Sequence, residues 1–161
     1  MNGERFRQAL GQFATGIVII TTRNGVGRPR AITVNAFTSV SLDPPLVLFC
    51  LGKSSFHFDV FAEAQSFAIN VLRADQQALS NRFAKEAEDD LADLATRSLM
   101  TGSPILPGYL AALDCTTETQ HDAGDHLIVI GRVLAIDEIA SGEPLVYFES
   151  GYRGLRPLPD A

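Results

Sequence analysis

Read as a strand, residues 126–136 are apolar on both faces. Ile128, Ile130 and Leu134 point one way, and Leu127, Val129, Val133 and Ala135 the other. Successive side chains of a strand alternate between the two sides of its sheet, so a strand with one wet side should alternate in polarity too. This one has to be covered twice. A chain with such a strand needs a core on one side of the sheet and, on the other, either a helix or another subunit. A second copy of the chain, in a homodimer, is the preferred cover.

The remaining strands come in short pieces. Residues 16–22 (GIVIITT), 46–51 (LVLFCL) and 66–72 (SFAINVL) are short and rich in β-branched or aromatic side chains. Residues 30–42 read as one longer strand stopped by Asp43-Pro44-Pro45, and Asn24-Gly25-Val26-Gly27 supplies turn chemistry before it. Short links among these first strands predict an antiparallel meander. Residues 110–120 and 126–139 follow as two long strands around Asp122-Ala123-Gly124, and residues 144–148 form the last strand.

Helices are few. Phe6, Ala9, Leu10 and Phe13 lie at i, i+3, i+4 and i+7, one apolar stripe. Residues 56–64 predict a short helix, and Asp75 is placed to cap the helix carrying Leu79, Arg82 and Phe83. In residues 85–97, Glu86, Glu88, Asp89, Asp90 and Asp93 surround Leu91 and Leu94, which predicts a solvated helix face. The sum is a mainly β, α+β protein: a small antiparallel barrel of Greek-key type with capping helices, whose closure hides its edges. No repeat or linker interrupts it, so residues 1–161 read as a single domain.

Charge narrows the partners. With 13 basic and 19 acidic side chains the net charge is −6, which argues against a nucleic-acid footprint. A local pocket can still take a small anion. Cys50 and Cys115 are too few for a disulfide framework and read as buried free thiols. Residues 1–10 lack the apolar run of a secretory leader, and no apolar stretch approaches the ~18 residues of a membrane span. A cytoplasmic protein without membrane attachment is expected.

Several familiar signatures fail. Gly25-Val26-Gly27 is followed by Arg30 where a dinucleotide fingerprint needs its third glycine, and by a strand instead of a helix. Gly52-Lys53-Ser54 imitates the end of a phosphate-binding loop, but Val47 stands at the first glycine. No nucleophile elbow is present. His121, Asp122, Asp125 and His126 are possible ligands, yet they straddle a hairpin turn, so no metal is expected.

Two segments carry more. Strand alternation in residues 30–42 puts Thr33, Asn35, Phe37, Ser39 and Ser41 on one face, opposite Val34, Ala36, Thr38, Val40 and Leu42. The first face offers four short hydrogen-bonding side chains, one aromatic and no acid. That suits a flat polar ring with an anionic tail, though a solvent-exposed strand has the same composition. Gly52-Lys53-Ser54-Ser55 then leads into a predicted helix, where free N–H groups, hydroxyls and a lysine could hold phosphate. Plain N-capping by Ser54 or Ser55 is the alternative.

In order along the chain, several segments together resemble the short-chain flavin reductases. They are Phe6-Arg7, Thr15-Gly16-Ile17-Val18, residues 33–45 (TVNAFTSVSLDPP), Gly52-Lys53-Ser54-Ser55, residues 67–72 (FAINVL) and Arg82-Phe83-Ala84. Gly124-Asp125-His126, Gly131-Arg132-Val133, residues 144–148 (PLVYF) and Tyr152-Arg153 complete the set. Residues 85–103 depart from the family pattern. The resemblance implies an FMN-binding split β-barrel, usually a homodimer, that reduces free FMN or FAD with NADH or NADPH and commonly supplies a partner monooxygenase. It places Thr33, Val34, Asn35, Ala36 and Phe37 along the isoalloxazine, and Ser39, Val40 and Ser41 near the ribityl phosphate. Cys50, Leu51, Gly52, Lys53, Ser55 and Phe56 would wrap the phosphate end, assisted by Arg82. His126 would lie beside the nicotinamide with Tyr152, as an orienting or charge-supplying catalytic group; a turn histidine bonding a carbonyl is the other reading. A non-catalytic flavin-binding or sensing protein on the same barrel is the alternative function. An oxidase of the pyridoxamine phosphate type would need a stronger basic cluster than Lys53 and Arg82.

Overall fold

The computed structural model describes residues 2–85, 91–138 and 141–155. Its strands are β1 (Thr15–Gly16), β2 (Val18–Arg23), β3 (Pro29–Val34), β4 (Phe37–Leu42), β5 (Pro45–Gly52), β6 (Ser66–Val71), β7 (Ala111–Ala123), β8 (His126–Glu138), β9 (Val146–Phe148) and β10 (Gly151–Arg153). The helices are α1 (Gly3–Leu10), α2 (Phe58–Ala62) and α3 (Gln77–Phe83). Seven strands pair antiparallel in the order β3-β2-β6-β7-β8-β5-β4, and β1, β9 and β10 form a second small sheet. Strands β6, β7 and β8 follow one another and β5 lies beside β8, which is a Greek key.

The large sheet has to curl. Its outermost strands, β3 and β4, are separated in sequence only by Asn35 and Ala36. Laid flat, seven strands would put those edges about 29 Å apart at ~4.8 Å per strand. Three Cα steps reach about 11 Å at most. The chain can therefore cross from one edge to the other only if the sheet is rolled into a barrel, with a seam where the crossing occurs. At that seam the Cys50 amide donates to the Ala36 carbonyl at 3.0 Å. The mainly β, split-barrel reading thus holds, but the single strand over residues 30–42 does not. The break at Asn35–Ala36 also resets the alternation. The Thr33 hydroxyl donates outward to the Ser80 carbonyl of α3 at 2.8 Å, whereas Phe37 packs on the barrel core.

The core fills the barrel with Val18, Ile20, Phe49, Leu51, Phe67 and Val129, and Phe61 of α2 plugs it. A second layer lies outside β2. Ile17 and Ile19 pack there under Leu72, Phe83, Leu91, Leu106 and Leu145. This explains why residues 16–22 show no polar alternation: α3 and the segment after residue 91 cover their outer side. Residues 91–97 are accordingly not a solvated helix; Leu91 is buried and Leu94 packs beside it. The Glu86, Glu88, Asp89 and Asp90 part of that reading lies outside the described residues.

Strand β8 is covered on one side only. Leu127, Val129 and Val133 face the barrel core, while Leu134 and Ile136 on the outer side stay 41% and 60% exposed. The stripe of α1 is likewise left open, with Phe6 53% and Phe13 76% exposed and nothing on the helix buried. Two smaller expectations also change. Asp75 sits inside a 3-10 turn (Ala74–Gln76) paired with Arg73 at 2.7 Å instead of capping α3. The last strand continues into a hairpin, because Glu149 and Ser150 take positive φ of 47° and 59° and turn the chain back as β10. Among the described residues no helix is long and apolar enough to cross a membrane.

Candidate functional site

The seam opens into a cleft of about 330 Å³. One wall is the crossing itself, Thr33, Val34, Asn35 and Ala36, and another is the end of β5 with the following turn, Cys50, Leu51, Gly52, Ser54, Ser55 and Phe56. The end of α3 adds Phe83, Ala84 and Lys85, and His126 closes the rim. A smaller adjoining cleft of about 200 Å³ shares Thr33, Asn35 and Ala84 and adds Ile17, Ser80, Tyr147 and Tyr152. Among the described residues neither cleft is lined by an aspartate or glutamate.

Each wall is held by specific bonds. Gly124 (φ 66°) and Asp125 make the two-residue turn joining β7 to β8, so His126 is the first residue of β8, directly across from Gly52 of β5. The His126 ring lies against Gly52, since a Cβ added there would sit 3.7 Å from Nε2. Its Nδ1 is 2.7 Å from Asp125 Oδ1. That hydrogen bond is the largest reason the Asp125 carboxyl is held below the ordinary aspartate range, with the nearby His126 charge second. In the adjoining cleft the Tyr152 hydroxyl donates to Asn81 Oδ1 at 3.0 Å and lies 2.9 Å from Ser80 Oγ. The Tyr147 ring meets it edge to face at 5.6 Å. The half-buried Cys50 thiol is pushed up by desolvation, so the thiol form persists in the wall.

Other residues singled out in the sequence lie elsewhere. Phe37 points into the barrel core, and Ser39, Val40 and Ser41 lie on the edge strand β4 without lining either cleft. Arg82 holds Asp93 with two bonds of 2.7 and 2.8 Å, and these hold the Asp93 carboxyl below its usual range. Lys53 turns to the β7–β8 hairpin, bonding the Gly124 carbonyl at 2.8 Å and pairing with Asp122. The capping role of Ser54 and Ser55 also fails. Helix α2 starts only at Phe58, has no side-chain cap and runs five residues, too short to carry much of a dipole. Sequence reasoning missed Ile32, His57, Phe83, Ala84 and Lys85 as cleft residues. Lys85 was legible only as the start of an acidic run; that it follows the last turn of α3, beside the seam, depends on tertiary packing.

Comparison with known proteins gives a consistent result. Residues 10–156 match the family described as "Flavin reductase like domain". The chain is 41% identical over 95% of its length to the reductase subunit of a flavin-dependent monooxygenase from Rhodococcus jostii, of which it covers 78%. It is 45% identical over 91% of its length to an FMN reductase (NADH) from Agrobacterium fabrum, covering 82% of that protein. An NADH:FAD oxidoreductase from Streptomyces globisporus, solved in complex with NAD and FAD fragments, superposes with a TM-score of 0.89 at 32% identity, over 99% of this chain and 95% of that one.

Proposed function

The chain belongs to the flavin reductase like family, and on that premise we propose that it uses NADH or NADPH to reduce FMN or FAD in the seam cleft. The observation that carries this reading is the cleft, free of acid among the described residues, where Thr33–Ala36 crosses from one sheet edge to the other. Its donor set fits the ligand: hydroxyls of Ser54 and Ser55, the Asn35 amide, two imidazoles and one lysine, with no carboxylate among the described lining residues to repel a phosphate. A bound flavin supplies the hydride-accepting chemistry, so the protein needs no nucleophile of its own. What the chain contributes is placement. Thr33–Ala36 on one wall and Cys50–Gly52 with Ser54–Phe56 on the other would hold the flavin, and a fixed ring converts an encounter with nicotinamide into a positioned one. Backbone amides along the crossing would favour the negative charge that develops on a bound flavin as it is reduced. His126, anchored by Asp125, stands at the rim where it orients the incoming nicotinamide; Tyr152 serves the adjoining cleft.

The reading has a direct test. With saturating FMN or FAD the protein should oxidise NADH or NADPH, and without flavin the rate should fall to that of buffer. Flavin binding with no nicotinamide oxidation would leave the non-catalytic flavin-binding reading in its place. The relatives that are monooxygenase reductase components support a monooxygenase as consumer of the reduced flavin. Residues 1–161 then act as one flavin-binding unit, in the cytoplasm where reduced nicotinamides are made.

A homodimer completes the proposal. The uncovered outer face of β8 and the open stripe of α1 are apolar surfaces that a second copy would bury. Val133 faces the barrel core, so a charge there would test folding; Ile136 is the informative position. Ile136→Asp should sediment as a folded monomer at micromolar concentration while the unaltered chain sediments as a dimer. A monomeric unaltered chain would remove the homodimer from the proposal.

A further inference from the structure

Two lysines stand close to the cleft, and the fold commits them differently. The amide of Lys53 donates to the Asp125 carbonyl at 2.9 Å, and its ammonium donates to the Gly124 carbonyl and pairs with Asp122. All of these partners belong to the β7–β8 hairpin, and the side chain does not line the cleft. For Lys53 to reach a ligand phosphate it would have to abandon Asp122 and leave the Gly124 carbonyl without its bond. Lys85 has no such commitment. It follows Ala84, the C-cap of α3, lines the same cleft as Ser54 and Ser55, and makes no ion pair with any described residue.

Resting on the flavin reading above, we propose that Lys85 is the cation that makes this cleft select a phosphorylated flavin, and that Lys53 is a strut fixing the turn beneath the ligand. Among the described residues a phosphate entering the cleft meets no carboxylate on its wall and one ammonium with no ion pair to give up. Lys85 is exposed, so solvent and salt screen its charge. Its effect should therefore be moderate, about five- to tenfold in FMN affinity, below what a desolvated charge-assisted bond gives. The effect of Lys53 should be independent of the phosphate, because it acts on the shape of the Gly52–Ser55 turn and on the hairpin that carries His126.

Equilibrium titration with FMN and with riboflavin, followed by flavin fluorescence, separates these roles. The unaltered protein should bind FMN more tightly than riboflavin. Lys85→Ala should weaken FMN about five- to tenfold with riboflavin unchanged, less so at high salt, and Lys85→Arg should keep most of the preference. Lys53→Ala should weaken both flavins alike and lower the melting temperature. A selective FMN loss in Lys53→Ala with Lys85→Ala indifferent would overturn the assignment. So would equal affinity of the unaltered protein for the two flavins. Binding of neither flavin would sink the functional reading itself.

Discussion

Gly131→Ala should cost about 3 kcal/mol of stability, the upper end for overpacking a core. A Cβ at this position falls well inside van der Waals contact with Phe67 Cζ and 3.2 Å from both of its Cε atoms. Phe67 cannot retreat, because it is 1% exposed and its ring is held edge to face by Phe49 at 5.2 Å. Replacing glycine by alanine also restricts the unfolded chain, which favours folding by about 0.4–1 kcal/mol. The clash is larger, so the sign is destabilising. In a chain of this size the melting temperature should fall by roughly 10 °C. Adding Phe67→Leu to Gly131→Ala should recover part of the loss, since the smaller side chain vacates the space. An unchanged melting temperature in the single variant would mean that Phe67 does not fill the barrel at β8.

The second large effect is expected at Asp114. This carboxylate is fully buried on β7 and accepts from the Met100 amide at 2.6 Å, the Thr101 amide at 2.7 Å and the Thr101 hydroxyl at 2.5 Å. It is the point where the loop around residues 100–103 is pinned to the sheet. Its charge also contributes, after burial, to pushing the neighbouring Cys115 thiol up to about 12. Asp114→Ala strands three donors at once. At about 1–3 kcal/mol each, tempered because the exposed Met100 end can take water, the loss should be about 3–5 kcal/mol. Asp114→Asn keeps one carbonyl acceptor and should fall between the two. Urea unfolding of the three proteins measures the order; an alanine variant as stable as the asparagine one would remove Asp114 as the pin.

Much of this architecture was legible because strands leave a local imprint. The β-branched runs at 16–22, 46–51 and 66–72 and the Gly124 turn identify strands and a hairpin whatever their partners are. What the chain does not display locally is which strands are neighbours. Residues 30–42 look continuous because no glycine or proline interrupts them, yet Asn35–Ala36 is where the chain changes edges and the faces are reset. Thr33, Asn35, Cys50, Gly52, Ser55 and His126 fall together in the cleft because family resemblance carries their spacing. Lysine and arginine were harder. Lys53 and Arg82 look like phosphate ligands beside glycine, serine and phenylalanine, but their partners Asp122 and Asp93 lie 69 and 11 positions away. A sequence pattern names the charge and leaves its counter-charge unspecified.

The two-residue crossing at Asn35–Ala36 also has a thermodynamic consequence. The chain itself keeps the strands that the crossing joins within about 11 Å, so the barrel closes when the long-range pairs β2–β6 and β5–β8 form. Barrel closure is thus a non-local event whose loop entropy is repaid late. A ligand lodged at the seam binds the closed barrel and not the open one, so it acts as a fastener. At a hundredfold excess over its dissociation constant it would hold the closed form by about 2.7 kcal/mol. With flavin at the seam, as proposed, a richer supply of it should make opening rarer and lengthen survival against proteases that attack opened states.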